Sequence, residues 1–175
     1  FPYTRLFRSV WVSSLVHARA KLAFDDLQSE RDYLHQRVYD QAKLACLVLA
    51  MELQERSRAA GWNLSSLAAH PGIARTGLGD SRRSQQRTRL VDHLADLGFW
   101  FAMRWLSQDQ ALGALSILRA AAAADAVGGE FYGPDGFGEF AGMPKRVQVS
   151  PPARDPAVRQ RLWQECERLT GVSYA

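Results

Sequence analysis

The sequence predicts an α/β fold built on a parallel sheet, and three observations indicate it. A short apolar run at residues 9–13 is followed by a long helical segment at residues 38–60 and by a second strand-like run at residues 63–69. Strand, helix and strand in this order form the βαβ unit of parallel sheets. The first run is apolar at consecutive positions, which is typical of a strand buried on both faces.

The helix is predicted by its composition and by its end. Residues 38–60 contain no Gly or Pro, are rich in Ala, Leu, Gln and Glu, and stop just before Gly61. These residues favour helix, and a glycine is the usual C-terminal cap. Its middle, residues 44–51, is apolar almost all round. We therefore expect the helix to be covered on more than one side, by the sheet and by a further element or a partner subunit.

Turn and capping residues mark the later elements. Pro71 and Gly72 should close the second strand after His70, since proline cannot continue a central ladder. The other predicted elements are a helix within 89–105, a helix from Gln108 to about Asp125 with the capping box Ser107 and Gln110, a strand at 130–132 closed by Gly133 and Pro134, and a helix from Asp155–Pro156 to Gly171 with the stripe Val158, Leu162, Cys166 and Leu169.

Length and composition favour one globular domain over residues 1–175, with a strand and helix core at 8–150 and a tail helix at 151–175. Of the 175 residues, 47% are hydrophobic and 23% charged, too apolar for a disordered chain. The net charge of +4 comes mainly from arginine. The densest patch contains Arg75, Arg82, Arg83, Arg87 and Arg89. It lacks interleaved aromatics and a recognisable reading element, so a solvated surface is favoured over nucleic-acid binding.

Cysteines, histidines and hydropathy give no sign of a metal or a membrane span. Cys46 and Cys166 lie far apart without ligand spacing, and His17, His35, His70 and His93 lie in no metal or hydrolase motif. We expect structural or surface roles for the histidines, with His70 part of its loop. No apolar run approaches about 18 residues and no signal peptide is seen, which predicts a cytoplasmic protein. The chain begins at Phe1, so we expect a fragment.

Tyr39 and Lys43 carry the strongest chemical signal. They are four residues apart on the predicted helix, so their side chains project from one face. An ordinary tyrosine has a pKa of about 10, and a neighbouring ammonium lowers it toward the working pH of a general acid or base. The spacing alone more often marks a surface pair. Its context is more specific, because Ser13 and Ser14 end the strand upstream.

Three stretches in this order, VWVSSLVHA, YDQAKLA and HPGIART, resemble the short-chain dehydrogenase/reductase family. The resemblance implies a Rossmann-like, doubly wound parallel sheet, of which this chain would be the C-terminal portion. It also implies a catalytic set of Ser14, Tyr39 and Lys43. Tyr39 would exchange a proton with the substrate oxygen, Ser14 would orient that oxygen, and Lys43 would lower the tyrosine pKa and bind the nicotinamide ribose. Position in the motif favours Ser14 over Ser13.

The resemblance also implies a cofactor and a substrate class. The cofactor is NADP or NAD, with NADP slightly favoured, held by Tyr39 and Lys43 and by the turn residues Pro71, Gly72, Ile73 and Thr76. The long insert HARAKLAFDDLQSERDY and the ending EFYGPDGFGEFAGMPKRV are similar to the subgroup of retinol dehydrogenases and protochlorophyllide reductases. That subgroup implies a small apolar carbonyl or alcohol substrate. A homo-oligomer formed through the Tyr39-bearing helix is also implied.

Three departures stand beside the resemblance. Ala42 replaces a common serine and Cys46 a common asparagine, without loss of an essential group. More seriously, the family's glycine-rich phosphate loop is absent from this sequence. A non-catalytic relic or interaction module, retained for the apolar helix 44–51, therefore stays open as the alternative. Trp100, Phe101 and Trp105 are interpreted as core residues, with a substrate pocket as their other reading.

Overall fold

The protein was analysed as a computed structural model that describes residues 7–75 and 107–173. Four strands form one sheet in the order β1, β2, β3, β4: Phe7–Val12, Leu64–Ala69, Phe131–Pro134 and Pro144–Arg146. The first three strands are parallel and β4 is antiparallel to β3. Helix α1 spans His35–Ala60, α2 Gln110–Ala122, α3 Pro151–Arg154 and α4 Pro156–Thr170. The predicted α/β class with a parallel sheet is confirmed.

Helices cover both faces of the sheet. Since side chains alternate along a strand, Ala68 and Phe131 face one side, whereas Leu67, Ala69 and Tyr132 face the other. The first side packs against α1, α3 and α4, and the second packs against α2. This two-sided burial explains why β1 and β2 lack a clear alternation of polar and apolar residues.

The apolar middle of α1 is buried within the chain itself. Leu44, Leu47 and Val48 are inaccessible to solvent, and Met51 is nearly so. One side of the helix packs on β1 and β2, and another packs on α3 and α4. The second covering element is therefore the tail of the same chain. This burial removes the exposed apolar surface on which the interaction-module alternative depended.

Side-chain hydrogen bonds hold the C-terminal end of α1 on the sheet. The Ser57 hydroxyl donates to the carbonyl of Leu64 over 2.6 Å, and Gln54 Oε1 accepts from the amide of Ser66 over 2.8 Å. Gly61 then ends the helix in the left-handed conformation with φ of 65°, as its sequence predicts. These bonds fix the position of the C-terminal end of α1 relative to β2.

Most predicted elements are present, with three corrections. The helix after residue 107 begins at Gln110 and its N-cap is Asp109, whose carboxylate accepts from Ala111, so the predicted capping box at Ser107 is wrong. Strand β3 continues through Pro134, where a turn was predicted. There it pairs with Pro144, and since neither proline has an N–H, this is a non-hydrogen-bonded position. Strand β4 was not predicted, because its Lys145 and Arg146 give no strand signal.

The tail helix follows its sequence signals closely. Asp155 caps α4 by accepting from Ala157, and Gly171 ends it with φ of 69°. Leu162 is buried and Cys166 packs beside it, whereas Leu169 is 42% exposed. The helix predicted within 89–105, its aromatic residues, His93 and the arginines at 82–89 lie outside the described residues. Among the described helices, none is both long and apolar enough to cross a membrane.

Candidate active site

The predicted site residues lie where the parallel strands end. In parallel sheets, ligands bind outside the carboxyl ends of the strands. Ser14 follows β1, and the turn Pro71–Ile73 follows β2. The two strands pair in register from Phe7 and Leu64 to Val12 and Ala69. The two segments therefore leave the sheet side by side at one edge.

Two reciprocal hydrogen bonds fasten α1 to this edge. Lys43 Nζ donates to the carbonyl of Val12 over 3.1 Å, while the Ser13 hydroxyl donates to the carbonyl of Lys43 over 2.8 Å. The end of β1 and the third turn of the helix are thus linked in both directions. Ser14, the next residue along the chain, is consequently held close to Lys43.

Tyr39 shares a helix face with Lys43. The Lys43 ammonium lies 5.8 Å from the centroid of the Tyr39 ring, within range of a cation–π attraction. Tyr39 as a residue is 36% exposed and therefore lies at the surface of the described structure. The four-residue spacing has therefore produced the expected pair at the expected edge of the sheet.

The two serines differ in what their hydroxyls do. Ser13 is 1% exposed, and its hydroxyl is used by Lys43. Ser14 is half-buried, has extended backbone angles and makes no capping bond to the short 3-10 helix Leu15–Ala18 that it precedes. Of the two, Ser14 is the serine whose hydroxyl makes no hydrogen bond within the described residues.

The insert between Ser14 and Tyr39 is tied to α1 by the two residues that follow the tyrosine. Gln41 accepts from the amide of Ala23 over 2.8 Å and donates to the carbonyl of Leu27 over 3.0 Å. Asp40 accepts from Arg19, with a shortest distance of 2.9 Å. The insert therefore folds against the first turns of α1 and forms one wall of the site.

Neighbouring segments immobilise the turn after β2. The amide of Ile73 donates to the carbonyl of Phe140 over 2.7 Å, and Gln108 Nε2 donates to the carbonyl of Pro71 over 2.8 Å. Gly72 has φ of 65°, and a Cβ placed there would lie 2.4 Å from the carbonyl oxygen of Phe140. A glycine is required both by this backbone angle and by this close approach. Thr76 lies outside the described residues.

Some backbone amides and carbonyls after β2 are already hydrogen-bonded and so cannot bind a ligand. Ile73 uses both its amide and its carbonyl, because the carbonyl accepts from the amide of Gln108. Ala74 forms a parallel bridge with Gln108, and no hydrogen bond to its own amide or carbonyl occurs within the described residues. Successive backbone groups point to opposite sides of an extended segment. Within the described residues, the backbone groups of this segment that make no hydrogen bond are therefore the carbonyl of Gly72 and the amide and carbonyl of Ala74, a residue that was not predicted for the site.

His17, His70 and Glu139 form a cluster directly behind these segments, which we call the histidine cluster, and its glutamate side chain is 31% exposed. His70 Nε2 lies 2.9 Å from Glu139 Oε2. Both imidazole rings pack against Phe131, with centroid distances of 5.0 Å for His17 and 5.2 Å for His70. His70 is fully buried and His17 is 6% exposed. Both histidines are thus core residues, as expected, whereas their shared position behind the site was not predicted.

The hydrogen bonds of His70 define its protonation. The amide of Gly72 donates to Nδ1 over 3.2 Å, so Nδ1 must carry a lone pair, and the proton resides on Nε2 and points to Glu139. Burial lowers the pKa of His70 to about 4, and burial together with the charge of His70 lowers the pKa of His17 to about 4. Burial also raises the pKa of Glu139, which Lys145 and His17 partly oppose. Both rings are neutral near pH 7.

These shifts predict a loss of stability in weak acid. Each histidine has a folded pKa of about 4 against 6.5 unfolded, so the unfolded chain binds more protons between those values. The free energy of unfolding is therefore unaffected by these groups above pH 6.5. It decreases as the pH falls toward 4, by up to roughly 3 kcal/mol for each histidine. The raised pKa of Glu139 has the opposite effect on the free energy of unfolding. Its folded form binds a proton more tightly than the unfolded form does, so its stabilising contribution is lost as the pH rises. Urea unfolding at pH 7 and pH 5 should show the loss, and a His70→Gln variant should show less of it. An equal loss in that variant would contradict the assignment.

A cleft of about 660 Å³ opens beside the same segments. Its lining includes Leu15, Phe140 and Val149, together with His17 and Lys145. The lining thus includes Leu15, the residue after Ser14 in the chain, and part of the wall is apolar. Within the described ranges, no group of His, Cys, Asp and Glu side chains has the arrangement of a metal site.

Comparisons with known proteins identify relatives along nearly the whole chain. No family model matches it. Human retinol dehydrogenase 13 is 32% identical over 166 residues, which cover 94% of this chain and 46% of that protein. A polyprenol dehydrogenase from Danio rerio is 30% identical over 165 residues, which again cover 94% and 46%. The chain spans about half the length of the curated relatives it matches.

A solved structure agrees with these sequence matches. The crystal structure of an uncharacterized protein from Mycobacterium paratuberculosis superposes with a TM-score of 0.69 and 31% identity, over 96% of this chain and 52% of that one. The architecture is the corresponding portion of a Rossmann-like sheet. Fold, motif order and relatives agree, and the chain is a homologue of the retinol dehydrogenases within the short-chain dehydrogenase/reductase family.

Proposed function

We propose that the protein containing this chain is an NAD(P)-dependent oxidoreductase that interconverts a carbonyl and an alcohol. The observation that carries the proposal is the double link between Lys43 and the end of β1. Ser14 follows Ser13 directly, so this link supports a position of Ser14 near the helix face that bears Tyr39 and Lys43. Retinol and polyprenol dehydrogenases among the relatives support the same reaction class.

Tyr39 is the proposed proton donor and acceptor. In reduction, its hydroxyl gives a proton to the carbonyl oxygen, and in oxidation the phenolate takes a proton from the alcohol. Ser14 donates a hydrogen bond to the same oxygen and orients it. Its uncommitted hydroxyl beside the start of the cleft suits this role.

Lys43 is proposed to bind the nicotinamide ribose. An ammonium has three donors, and the structure accounts for one of them, directed at Val12. The others are suited to ribose hydroxyls, so the donor chemistry fits an NAD(P) nicotinamide half. When bound, that cofactor supplies or accepts the hydride.

The turn Pro71–Ile73 and Thr76 are proposed to flank the nicotinamide ring. Since the amide and carbonyl of Ile73 are both occupied, we assign the backbone contact with the ring's carboxamide to Ala74. Ile73 then contributes its side chain only. NADP is favoured over NAD on the subgroup resemblance.

A long apolar alcohol or aldehyde, rather than the small one predicted from the sequence, is the proposed substrate class. Retinol and polyprenol are both isoprenoid alcohols, and they appear in the names of separate relatives. The cleft lined by Leu15, Phe140 and Val149 offers an apolar wall to such a chain. Its lining includes Leu15, the residue after Ser14, which supports a substrate whose reacting end extends from the cleft toward the sheet edge.

Activity of the full-length protein tests the proposal. Retinaldehyde and a short polyprenal would each be supplied with NADPH or NADH, and cofactor oxidation followed at 340 nm together with alcohol formation. We expect turnover with at least one aldehyde and a preference for NADPH. Absence of hydride transfer with both aldehydes and both cofactors, from folded protein, would overturn the proposed function.

The two serines give a matched pair of variants. Ser14→Ala should lower kcat/KM by about 100-fold, because a donor to the reacting oxygen is lost, without a large change in stability. Ser13→Ala should instead lower the free energy of unfolding by roughly 1–2 kcal/mol, because the Lys43 carbonyl loses its buried partner. Kinetics and urea unfolding of both variants check this. A larger kinetic loss in Ser13→Ala would exchange the two roles.

A further inference from the structure

We propose that His70 and Glu139 form a positioning pair that holds the Pro71–Ile73 turn in its cofactor-binding shape. This inference deepens the proposed function and rests on it for its effect on cofactor affinity. Its mechanical part concerns only this chain. Neither residue belongs to the proposed catalytic set, although Glu139 also lines the cleft, and we assign both a role through the turn.

His70 connects the turn to a distant loop through its two ring nitrogens. Nδ1 accepts from the amide of Gly72, two residues ahead, and Nε2 lies 2.9 Å from the carboxylate of Glu139. Each nitrogen thus has one partner, and the ring is fully buried. A buried ring with both nitrogens bonded can adopt one orientation, which makes it a rigid connector.

The loop that contains Glu139 also forms a backbone hydrogen bond with the turn. Phe140, the next residue, accepts from the amide of Ile73 over 2.7 Å. Glu139 itself has a positive φ of 58°, which is uncommon outside glycine and requires support from its surroundings. The side-chain bond to His70 is a contact that can supply this support. Loop and turn are therefore joined by adjacent backbone and side-chain links.

His17 connects the segment that contains Ser14 to the same buried aromatic residue. Its amide donates to the carbonyl of Ser14 over 3.1 Å, and its ring meets Phe131 edge-on. Phe131 contacts the His70 ring from the same side of the sheet. The turn after β2 and the serine after β1 thus share one buried support.

The experiment tests separately the two hydrogen bonds of the His70 ring, at Nδ1 and at Nε2. His70→Asn keeps an acceptor at the Nδ1 position and loses the reach to Glu139, whereas His70→Gln keeps a donor at the Nε2 position. Glu139→Ala removes the partner, and Glu139→Gln retains an acceptor for Nε2–H. Glu55→Ala, which removes a surface carboxylate paired with Arg58, is the control. Amide hydrogen exchange of residues 70–75 and the KM for the nicotinamide cofactor are measured for each full-length variant.

We expect Glu139→Ala and His70→Asn to speed exchange of the Ile73 amide at least 10-fold and to raise the cofactor KM about 5- to 10-fold, with a smaller change in kcat. Glu139→Gln should restore most of both properties, and Glu55→Ala should change neither. Unchanged Ile73 exchange in Glu139→Ala would overturn the positioning claim. Faster exchange with an unchanged cofactor KM would overturn its link to the cofactor. Failure of the wild-type protein to transfer hydride would instead refute the proposed function, and the exchange result would still decide the mechanical claim.

Discussion

Replacing Tyr39 with phenylalanine is expected to reduce kcat of the full-length protein by about 1000-fold, with little effect on folding. Phenylalanine preserves the ring, so the contact with the Lys43 ammonium remains. Only the group that exchanges the proton is lost, and a positioned acid or base typically contributes 10²–10⁴-fold, that is, roughly 3–5 kcal/mol of barrier. Since Tyr39 is 36% exposed, its hydroxyl is not needed to satisfy a buried partner. The KM for the cofactor should change much less than kcat.

Tyr33 provides the matched control for this variant. It lies six residues earlier in the insert, is 70% exposed and carries the same hydroxyl. Tyr33→Phe should retain full activity across the pH range. Comparable turnover by Tyr39→Phe and the wild type, measured under single-turnover conditions so that product release does not mask chemistry, would refute the proton-transfer assignment.

Local signals in the sequence were sufficient for the framework of the site. The four-residue spacing of Tyr39 and Lys43 fixes a common helix face, and Gly61 fixes where that helix ends. The serines after β1 and the Pro71–Gly72 turn after β2 follow from strand ends that lie at one sheet edge. Each of these inferences uses residues within a few positions of each other, where propensity and periodicity determine structure.

Contacts between distant residues were not predictable in this way. His70 and Glu139 are 69 residues apart and are joined only when the loop after β3 folds back over the turn after β2. Strand β4 is paired with β3 although Lys145 and Arg146 favour a loop, because tertiary pairing outweighs intrinsic preference. Ser13 was separable from Ser14 by motif alone, but the hydrogen bond to Lys43 supplies the physical reason.

Replacing Gly72 with alanine is expected to destabilise the protein by roughly 4 kcal/mol. The left-handed backbone alone costs an L-residue about 1–2 kcal/mol, and overpacking adds about 1–3 kcal/mol. The overpacking is severe here, because the new Cβ would lie 2.4 Å from the Phe140 carbonyl oxygen and 2.9 Å from that of Glu139. Both atoms belong to backbone, so no side-chain rotation relieves the clash. Relief requires the turn and the 136–142 loop to separate, which would break the Ile73 to Phe140 hydrogen bond.

Gly61→Ala separates these two causes, since Gly61 has the same φ of 65° but nothing within 4 Å of its Cβ position. It should lose only about 1–2 kcal/mol, the cost of the backbone angle. Urea unfolding of both variants at pH 7 gives the difference directly. Equal losses would mean that the loop yields to a methyl group without cost, and the turn would then lack the rigidity that a fixed nicotinamide contact needs. A larger loss in Gly72→Ala, accompanied by faster exchange of the Ile73 amide, would tie that rigidity to the approach of the Phe140 and Glu139 carbonyls.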